Sequence, residues 1–385
     1  MTPDSRLSTL DSRLKWRDFS MIIALVVIGV VFSVASPTFV SARNLSNLAV
    51  ELSITAVLAL GMLMIIVTSH VDLSVGSGAG LFGGLAAVLV FERQWPAPLA
   101  MLLALAAALA VWTLMGAIIV RQKVPAFIIT LAGLLVFKGL HWLVIHNATI
   151  PIAPGGNPNA YSLLTTYYVP NIVGYALAAL VVAAMGWSRV VSRRERAALG
   201  LEVESFEDAY ARVFIAGQLV FLFVVVCNQY RGIPLSALIL GTTAFVVWLV
   251  TQHTRFGRYL YAIGGNEEAA RISGIAVDKV VIGAFAAMGG IVAITGFMQT
   301  AYSGASTTTV GSLMELDAIA ACVIGGTSLR GGRGTVTGVL FGALIMASLL
   351  NGMTLLAVSP EIKFIARGLV LALAVWMDVR LGRGT

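Results

Sequence analysis

Long apolar stretches, separated by short polar ones, follow one another along almost the whole chain. They lack the apolar–polar alternation of the short strands that build an outer-membrane barrel, and most have the roughly 17–25 residues that a spanning helix needs. The pattern therefore predicts an all-α polytopic membrane protein with about twelve transmembrane segments. These segments are 19–36, 45–69, 75–91, 97–120, 124–146, 169–188, 212–230, 233–252, 280–300, 316–329, 335–357 and 362–379.

The segment 316–329 is an exception, because it has only 14 residues. It is either a short crossing inside the bundle or a re-entrant segment, since irregular backbone at membrane depth is tolerated only where protein or a water-filled path surrounds it. The first segment, 19–36, follows a basic head and is long for the apolar part of a signal peptide, so we expect an uncleaved helix.

Composition supports the membrane assignment. The chain has 385 residues, of which 58% are hydrophobic and 11% charged, whereas a soluble domain has about 45–50% apolar and about 25% charged residues. A water-soluble protein of this size is therefore excluded. The net charge of +7 indicates an excess of basic residues on the cytoplasmic side of a membrane protein, and we expect no nucleic-acid partner.

The distribution of basic residues gives an orientation. With twelve crossings, 19 of the 25 Lys and Arg residues fall in the predicted inner segments, as expected for positively charged cytoplasmic loops. An even number of crossings with this orientation places both termini in the cytoplasm. It also requires 316–329 to cross the membrane. The predicted organisation is a cytoplasmic tail at 1–18, a single transmembrane domain at 19–379 with cytoplasmic loops at 189–212 and 253–279, and a cytoplasmic tail at 380–385.

The sequence carries no visible enzymatic motif. There is no G-x-x-x-x-G-K-[ST] phosphate-binding loop, no H-E-x-x-H metal motif and no G-x-S-x-G nucleophile motif. Cys227 and Cys322 lie in apolar segments without zinc spacing, so we expect them to be buried apolar residues. We therefore expect no catalytic residue, no metal and no cofactor in this chain.

The loop at 253–279 contains a short helix with signals at both ends. Asn266 is a favoured N-cap residue, and Gly274 supplies a left-handed stop. A helix of two turns is not stable alone in water, so its apolar face must be received by the protein's own bundle or by a partner. An interfacial helix on the membrane is the other possibility, although it would carry larger apolar residues. The apolar face comprises Ala269, Ala270 and Ile272, and the charged residues are Glu267, Glu268 and Arg271.

Five stretches of the sequence together resemble one protein family. The most specific are GGNEEAARISGI, within 254–275, and GGTSL, within 316–329; the others are 41–44, 72–77 and 374–378. On these motifs the chain is similar, over nearly its whole length, to the membrane permeases of ATP-binding-cassette (ABC) sugar importers of the ribose/xylose type.

Two further features point to the xylose type within that family. They are the run VPAFIITLAG at 124–133 and an extra pair of helices around 169–230. His70 stands where the family resemblance leads us to expect an acidic or small residue, just before the stretch 72–77. This departure concerns which sugar is carried and does not affect the family assignment.

The resemblance implies a transport subunit that performs no chemistry itself. It implies a multi-pass protein of the bacterial inner membrane that imports a monosaccharide, D-xylose or a related pentose, as a homodimer with a second permease copy. A periplasmic sugar-binding protein would meet the outer loops 147–168 and 301–315. A separate cytoplasmic ATP-binding subunit would push on the bundle through the coupling loop, which comprises Arg255, Arg258, Gly265, Asn266, Glu267, Glu268, Ala269, Ala270, Arg271, Ile272 and Gly274, with the alanines and Ile272 as the buried contact.

Some polar residues suit a path for neutral polyols. A carboxylate in an apolar segment is costly and usually functional or paired, so Glu51 and Asp317 either line the path or bind Lys138, Lys363 or Arg367. The stretch 72–77 is either a cytoplasmic gate or a turn in which Asp72 or Ser74 caps the next helix. The path or gate candidates are Asn47, Glu51, Thr55, Asp72, Ser74, Gly76, Asp317, Thr327, Ser328 and Asn351.

An ion-coupled secondary sugar transporter is the alternative function. Such a transporter needs buried carboxylates or unwound helices that bind Na⁺ or H⁺, and Glu51 and Asp317 keep this possibility open. It would, however, leave the short helix at 266–274 without a purpose.

Overall fold

The computed structural model describes residues 21–201, 203 and 205–382, and this part of the chain is almost entirely helical. The predicted tail 1–18 and the last three residues of the chain lie outside it. The helices are α1 (Met21–Ala35), α2 (Ala42–Val67), α3 (Val75–Phe91), α4 (Ala97–Gln122), α5 (Ala126–Val144), α6 (Leu163–Thr166), α7 (Asn171–Ala198), α8 (Phe206–Asn228), α9 (Leu235–His253), α10 (Arg255–Gly265), α11 (Glu267–Ile272), α12 (Val277–Ser303), α13 (Met314–Ile324), α14 (Val336–Leu355) and α15 (Pro360–Gly382). Four two-residue strands are β1 (Ile150–Pro151), β2 (Tyr168–Val169), β3 (Ile233–Pro234) and β4 (Ala305–Ser306).

Each of the twelve predicted apolar segments overlaps one of these helices. Among the described residues, eight helices are long and apolar enough to cross a membrane, namely α2, α4, α5, α7, α8, α9, α12 and α14. Helices α1 and α3 are shorter and apolar. A polytopic helical membrane protein is thereby confirmed, while the number of twelve crossings and the cytoplasmic placement of the termini stay predictions.

Helix α2 lies at the centre of the bundle. It is buried over nearly all of its length and packs against α9, α12, α13 and α14, and α12 packs in turn against α3 and α4. Small residues allow these helices to approach closely. A Cβ atom on Gly61 would lie 2.6 Å from Sδ of Met288 and 2.9 Å from a methyl group of Ile291, so a larger residue there would push α12 away.

The short segment around α13 is part helix and part non-helical chain, with successive turns at 308–313. Helix α13 has 11 residues, which is about 16 Å and too short for a hydrocarbon core of about 30 Å. The preceding residues 307–313 run along α3, where Ser306 lies near Gly84 and Gly311 packs against Gly76. The chain thus passes from one end of the bundle to the other, as the parity argument requires, although the helix begins at Met314 and ends at Ile324 rather than covering 316–329.

The two ends of the bundle are each held together by loop contacts. At one end, β1 pairs with β4 and β2 with β3, both antiparallel. The first pair joins the two loops that the charge pattern places outside. At the other end, residues 67–69, the end of α10 and the loop 328–334 are in contact, and these lie on the predicted inner side.

Helices α7 and α8 form a long hairpin that the rest of the chain covers only sparsely. The predicted polar loop 189–212 is mostly helical here, because α7 continues to Ala198 and α8 begins at Phe206. Ser205 caps α8, its hydroxyl accepting the Asp208 N–H at 3.0 Å. The prediction ended α7 too early because it followed hydropathy, whereas a charged helix end in water has no apolar signal.

Candidate coupling and translocation site

The short helix predicted at 266–274 is present as α11. The side chain of Asn266 accepts the Ala269 N–H at 2.9 Å, which satisfies one of the free donors at the helix start. Gly274 has φ +82°, the left-handed conformation that glycine adopts most easily. Both predicted end signals are confirmed.

The apolar residues of α11 do not share one face, as the sequence reading assumed. Ala270 is 4% exposed and belongs to the protein's own core, whereas Ile272 is 82% exposed and Ala269 is also exposed. Ala270 is therefore not available to an outside contact as the sequence predicted, because it packs into the core of this chain. Ile272 and Ala269 are the apolar residues that α11 exposes on its outer side.

Ion pairs fix α11 to the start of α12. Arg271 contacts Glu267 at 2.9 Å within α11 and Asp278 of α12 at 3.2 Å. The hydrogen bond from Arg271 to Glu267 raises the pKa of the guanidinium further, so it stays a cation. Arg255, Arg258 and Glu268 are exposed around this pair, which gives the inner end a charged surface.

Helix α10 precedes α11 and was not recognised as a separate helix from the sequence. The Thr254 hydroxyl accepts the Gly257 N–H at 3.1 Å, and Gly257, Leu260 and Ile263 are buried at helical spacing. Those two signals, a Thr cap and apolar residues three apart, were available in the sequence. The exposed glycine of the coupling loop, Gly265, ends this helix.

The end of α10 meets α2 and the loop 328–334 at backbone level. A Cβ atom on Gly264 would overlap the Val67 carbonyl oxygen and lie 2.5 Å from the Gly332 nitrogen. Gly332 donates its N–H to the Val67 carbonyl at 2.9 Å, and Ser69 donates its hydroxyl to the Arg330 carbonyl at 2.8 Å. We call this contact of residues 67–69, 261–265 and 328–334 the glycine junction.

A further hydrogen bond extends the glycine junction. Tyr261 of α10 donates its hydroxyl to the Gly334 carbonyl at 2.9 Å. Thr327 adjoins the junction, whose loop begins at Ser328. Thr327 is fully buried, and its hydroxyl has no hydrogen-bond partner among the described residues. Ser328 donates its N–H to the Arg333 carbonyl at 3.0 Å, which closes the loop on itself. Helix α10 is thus in backbone contact with α2 and hydrogen-bonded to the connection between α13 and α14.

The loop 68–74 turns back into the bundle around a buried carboxylate. Asp72 is fully buried and accepts the N–H and the hydroxyl of Ser74 at 2.9 and 2.6 Å. Trp112 of α4 donates its indole N–H to the other carboxylate oxygen at 2.7 Å. Ser74 occupies the N-cap position of α3 but forms no side-chain cap, so the predicted cap is wrong and the motif is a turn anchored to α4.

His70 precedes this turn. Its Nδ1 donates to the Thr68 carbonyl at 2.7 Å, because that oxygen can only accept. Burial lowers the pKa of His70, although the hydrogen bond to Thr68 works in the opposite direction. A neutral ring therefore stands where an acidic or small residue was expected.

The partner of Asp317 is Arg367 of α15, with Nε and Oδ1 3.1 Å apart. The Asp317 side chain is 9% exposed and that of Arg367 is 22% exposed. Glu315, two residues earlier on α13, is also buried and lies against Gly76 at the start of α3. Among the three basic candidates, the structure thus selects Arg367.

A polar network occupies the opposite end of α2. Tyr302 of α12 donates its hydroxyl to one Glu51 oxygen at 2.7 Å, and the Asn351 amide donates to the other at 3.2 Å. Asn44 in turn donates to the Asn351 carbonyl oxygen at 2.9 Å. Asn47, Glu51 and Thr55 are each half-buried, and their four-residue spacing places them on one face of α2.

The predicted site residues therefore form two groups rather than one. The outer group lies at the start of α2 and contains Asn47, Glu51, Thr55 and Asn351. The inner group contains Asp72, Ser74 and Gly76, in the turn that follows α2, and Thr327 and Ser328, beside the glycine junction. Asp317 lies apart from both groups, in its ion pair with Arg367. Sequence reading missed Tyr302, Trp112, Glu315 and Gly264, because each acts through a residue more than thirty positions away; only Glu315 carried a signal, as a carboxyl beside an apolar segment.

Comparison with known proteins places the chain in a family. Residues 44–375 match the family described as "Branched-chain amino acid transport system / permease component". No solved structure matches the chain.

Curated relatives cover the chain almost completely. The xylose transport system permease protein XylH of Escherichia coli K12 is 40% identical over 94% of this chain and 91% of its own length. XylH of Haemophilus influenzae is 40% identical over 94% and 95%, and the ribose import permease protein RbsC of E. coli K12 is 33% identical over 93% and 92%. This chain therefore belongs to this family of transport-system permease components, and it is similar to XylH and RbsC over nearly its whole length.

Proposed function

We propose that this chain is the membrane subunit of a bacterial ABC importer for a monosaccharide, D-xylose or a related pentose. The observation that carries the proposal is the 40% identity, over 94% of the chain, to a permease named for xylose transport. The family description mentions branched-chain amino acids. The full-length relatives named for pentoses and the neutral polar groups of the outer group favour a sugar.

The proposed energy input is the exposed side of α10 and α11. A separate cytoplasmic ATP-binding subunit contacts Ile272, Ala269 and the surrounding charges, and its closure moves α10. Three contacts support this route: the ion pair from Arg271 to Asp278, the bond from Tyr261 to Gly334 and the close approach of Gly264 to Val67. The force then reaches α2, the loop at Asp72 and α13 together.

A second copy of the chain and a water-filled path complete the proposed transporter. Lys138 is exposed more than halfway along α5; its ammonium lies 5.6 Å from the centroid of the Trp142 ring and interacts electrostatically with Glu315. A lysine at that depth faces water or protein rather than lipid. The exposed face of α5 is therefore our candidate wall of the path between the two copies.

The outer end is the proposed docking place for a periplasmic sugar-binding protein. The loops 147–168 and 301–315 meet there through the pairing of β1 with β4, so they form one surface. The protein is accordingly proposed to lie in the inner membrane with both termini in the cytoplasm and twelve crossings.

The alternative, ion-coupled transport, is less well supported by the site. Both oxygens of Glu51 accept hydrogen bonds, and Asp317 is paired with Arg367. A site for Na⁺ or H⁺ needs a carboxylate that is available to the ion. Neither candidate meets this requirement.

The proposal is tested by reconstitution of the chain in liposomes with its ATP-binding subunit and binding protein. Uptake of radiolabelled D-xylose that requires ATP supports it. Uptake by the chain alone, lost on addition of an uncoupler, would establish the ion-coupled alternative instead.

A further inference from the structure

The predicted inner end of the α7–α8 hairpin carries a groove whose lining contains none of the path or coupling residues named above. The groove has a volume of about 460 Å³ and lies between the last turns of α7 and the first turns of α8. It is lined by Gly186, Arg189, Val190, Arg193, Arg194, Ala197, Val203, Phe206, Ala209, Tyr210 and Val213. Among the described residues that line it, three are arginines and none is acidic.

The length and sequence of α7 favour a position of the groove at the level of the lipid headgroups. Helix α7 has 28 residues, about 42 Å, whereas the hydrocarbon core is about 30 Å thick. Its apolar part ends at Trp187, which is 72% exposed, and the first arginine follows two residues later. Exposed tryptophan and tyrosine side chains are typical of this interface, and Tyr210 is 60% exposed on the facing helix.

The side chains are arranged around an aromatic column. The rings of Phe206, Tyr210 and Phe214 are stacked, with successive centroids 6.4 and 5.8 Å apart. The guanidinium of Arg193 lies 5.8 Å from the Phe206 centroid. Cations are thus held beside an apolar surface that continues along both helices into the membrane region, where Leu180 and Leu219 are exposed.

We propose that this groove binds an anionic phospholipid of the inner leaflet. Guanidinium groups bind phosphate oxygens through paired hydrogen bonds, and basic pockets between helices on the cytoplasmic side hold anionic headgroups. The acyl chains extend along the exposed apolar face of α7 and α8. An acidic peptide would satisfy the arginines but not this apolar surface, so the ligand carries both an anionic head and an apolar tail.

The test is lipid retention by the purified full chain, measured by native mass spectrometry. Phosphatidylglycerol and cardiolipin are compared with phosphatidylcholine, with and without excess inorganic phosphate. The wild-type chain should retain the two anionic lipids selectively, and free phosphate should not displace them, because the tails contribute to binding. Displacement by phosphate, or equal retention of phosphatidylcholine, would overturn the proposal.

Charge variants distinguish this groove from general surface attraction. Replacement of Arg189, Arg193 and Arg194 by Gln should lower anionic-lipid retention about hundredfold, at about fivefold for each arginine. Arg189 and Arg193 also interact within the chain, so the single variant Arg194→Gln, expected to lose about fivefold, keeps the test valid if the triple variant misfolds. Arg196→Gln removes the same charge from α7 outside the groove and should change retention less than twofold; an equal loss would contradict the assignment.

Discussion

The substitution Gly264→Ala tests whether the glycine junction transmits force. The new Cβ atom would overlap the Val67 carbonyl oxygen and lie 2.5 Å from the Gly332 nitrogen, where a contact of about 3.5 Å is needed. Neither neighbour is a flexible side chain, so α10 must separate from the loop 328–334 by about 1 Å. The new methyl group also lies against both atoms of the hydrogen bond from Gly332 to Val67, now 2.9 Å, so this bond is lost where α2 or the loop yields in place of α10.

The magnitude follows from those two changes. Overpacking of a tight contact costs about 1–3 kcal/mol, and an unsatisfied backbone group costs about 1–3 kcal/mol more, so the apparent unfolding temperature should fall by several degrees. Because the junction joins α10 to α2, sugar-stimulated ATP hydrolysis should fall more than tenfold while membrane levels remain measurable.

The matched control for this prediction is the same substitution at the next residue, Gly265. A Cβ atom on Gly265 meets nothing within 4 Å, so Gly265→Ala makes the same chemical change without the steric conflict. Thermal unfolding in detergent and ATP hydrolysis in proteoliposomes are measured for both. If the two variants behave alike, the junction does not transmit force and the reasoning is wrong.

Three further outcomes are expected. Asp317→Ala should destabilise the chain by about 3–5 kcal/mol, because it leaves Arg367 partly buried without its carboxylate, and Arg367→Ala on the same background should recover part of that loss in thermal unfolding. Trp112→Phe removes a hydrogen bond to a buried carboxylate and should cost about 1.5–3 kcal/mol, whereas Trp187→Phe, on an exposed surface, should not shift the unfolding temperature. Ala270→Asp should lower the yield of folded protein, since that side chain is buried in its own core; normal folding with lost coupling would show that Ala270 contacts the partner after all.

The parts of the fold that the sequence predicts are those encoded locally. Apolar runs place a helix in each of twelve segments because burial in lipid requires only length and hydropathy. The N-cap at Asn266 and the stop at Gly274 were also predictable, since each depends on a few neighbouring residues. Helix α7 was predicted too short, because its charged end carries no apolar periodicity.

The parts that depend on distant residues could not be predicted. Which side of α11 faces inward is decided by its packing on the rest of the chain, so Ala270 and Ile272 were grouped together although the structure separates them. The partner of Asp317 depends on how α13 and α15 pack, and three basic residues were equally possible from the sequence. Division of the path candidates into an outer and an inner group likewise follows only from the three-dimensional arrangement.

The most direct test of the central claim is sugar-stimulated ATP hydrolysis by the reconstituted complex carrying Ile272→Asp. Ile272 is 82% exposed, so the change should leave folding and membrane level unaffected while placing a charge in the contact with the ATP-binding subunit. We predict a loss of stimulated hydrolysis of more than tenfold for Ile272→Asp and near-normal hydrolysis for Ile272→Val. Wild-type hydrolysis and D-xylose uptake by the Asp variant would contradict the claim that α11 receives the force of an ATP-driven partner.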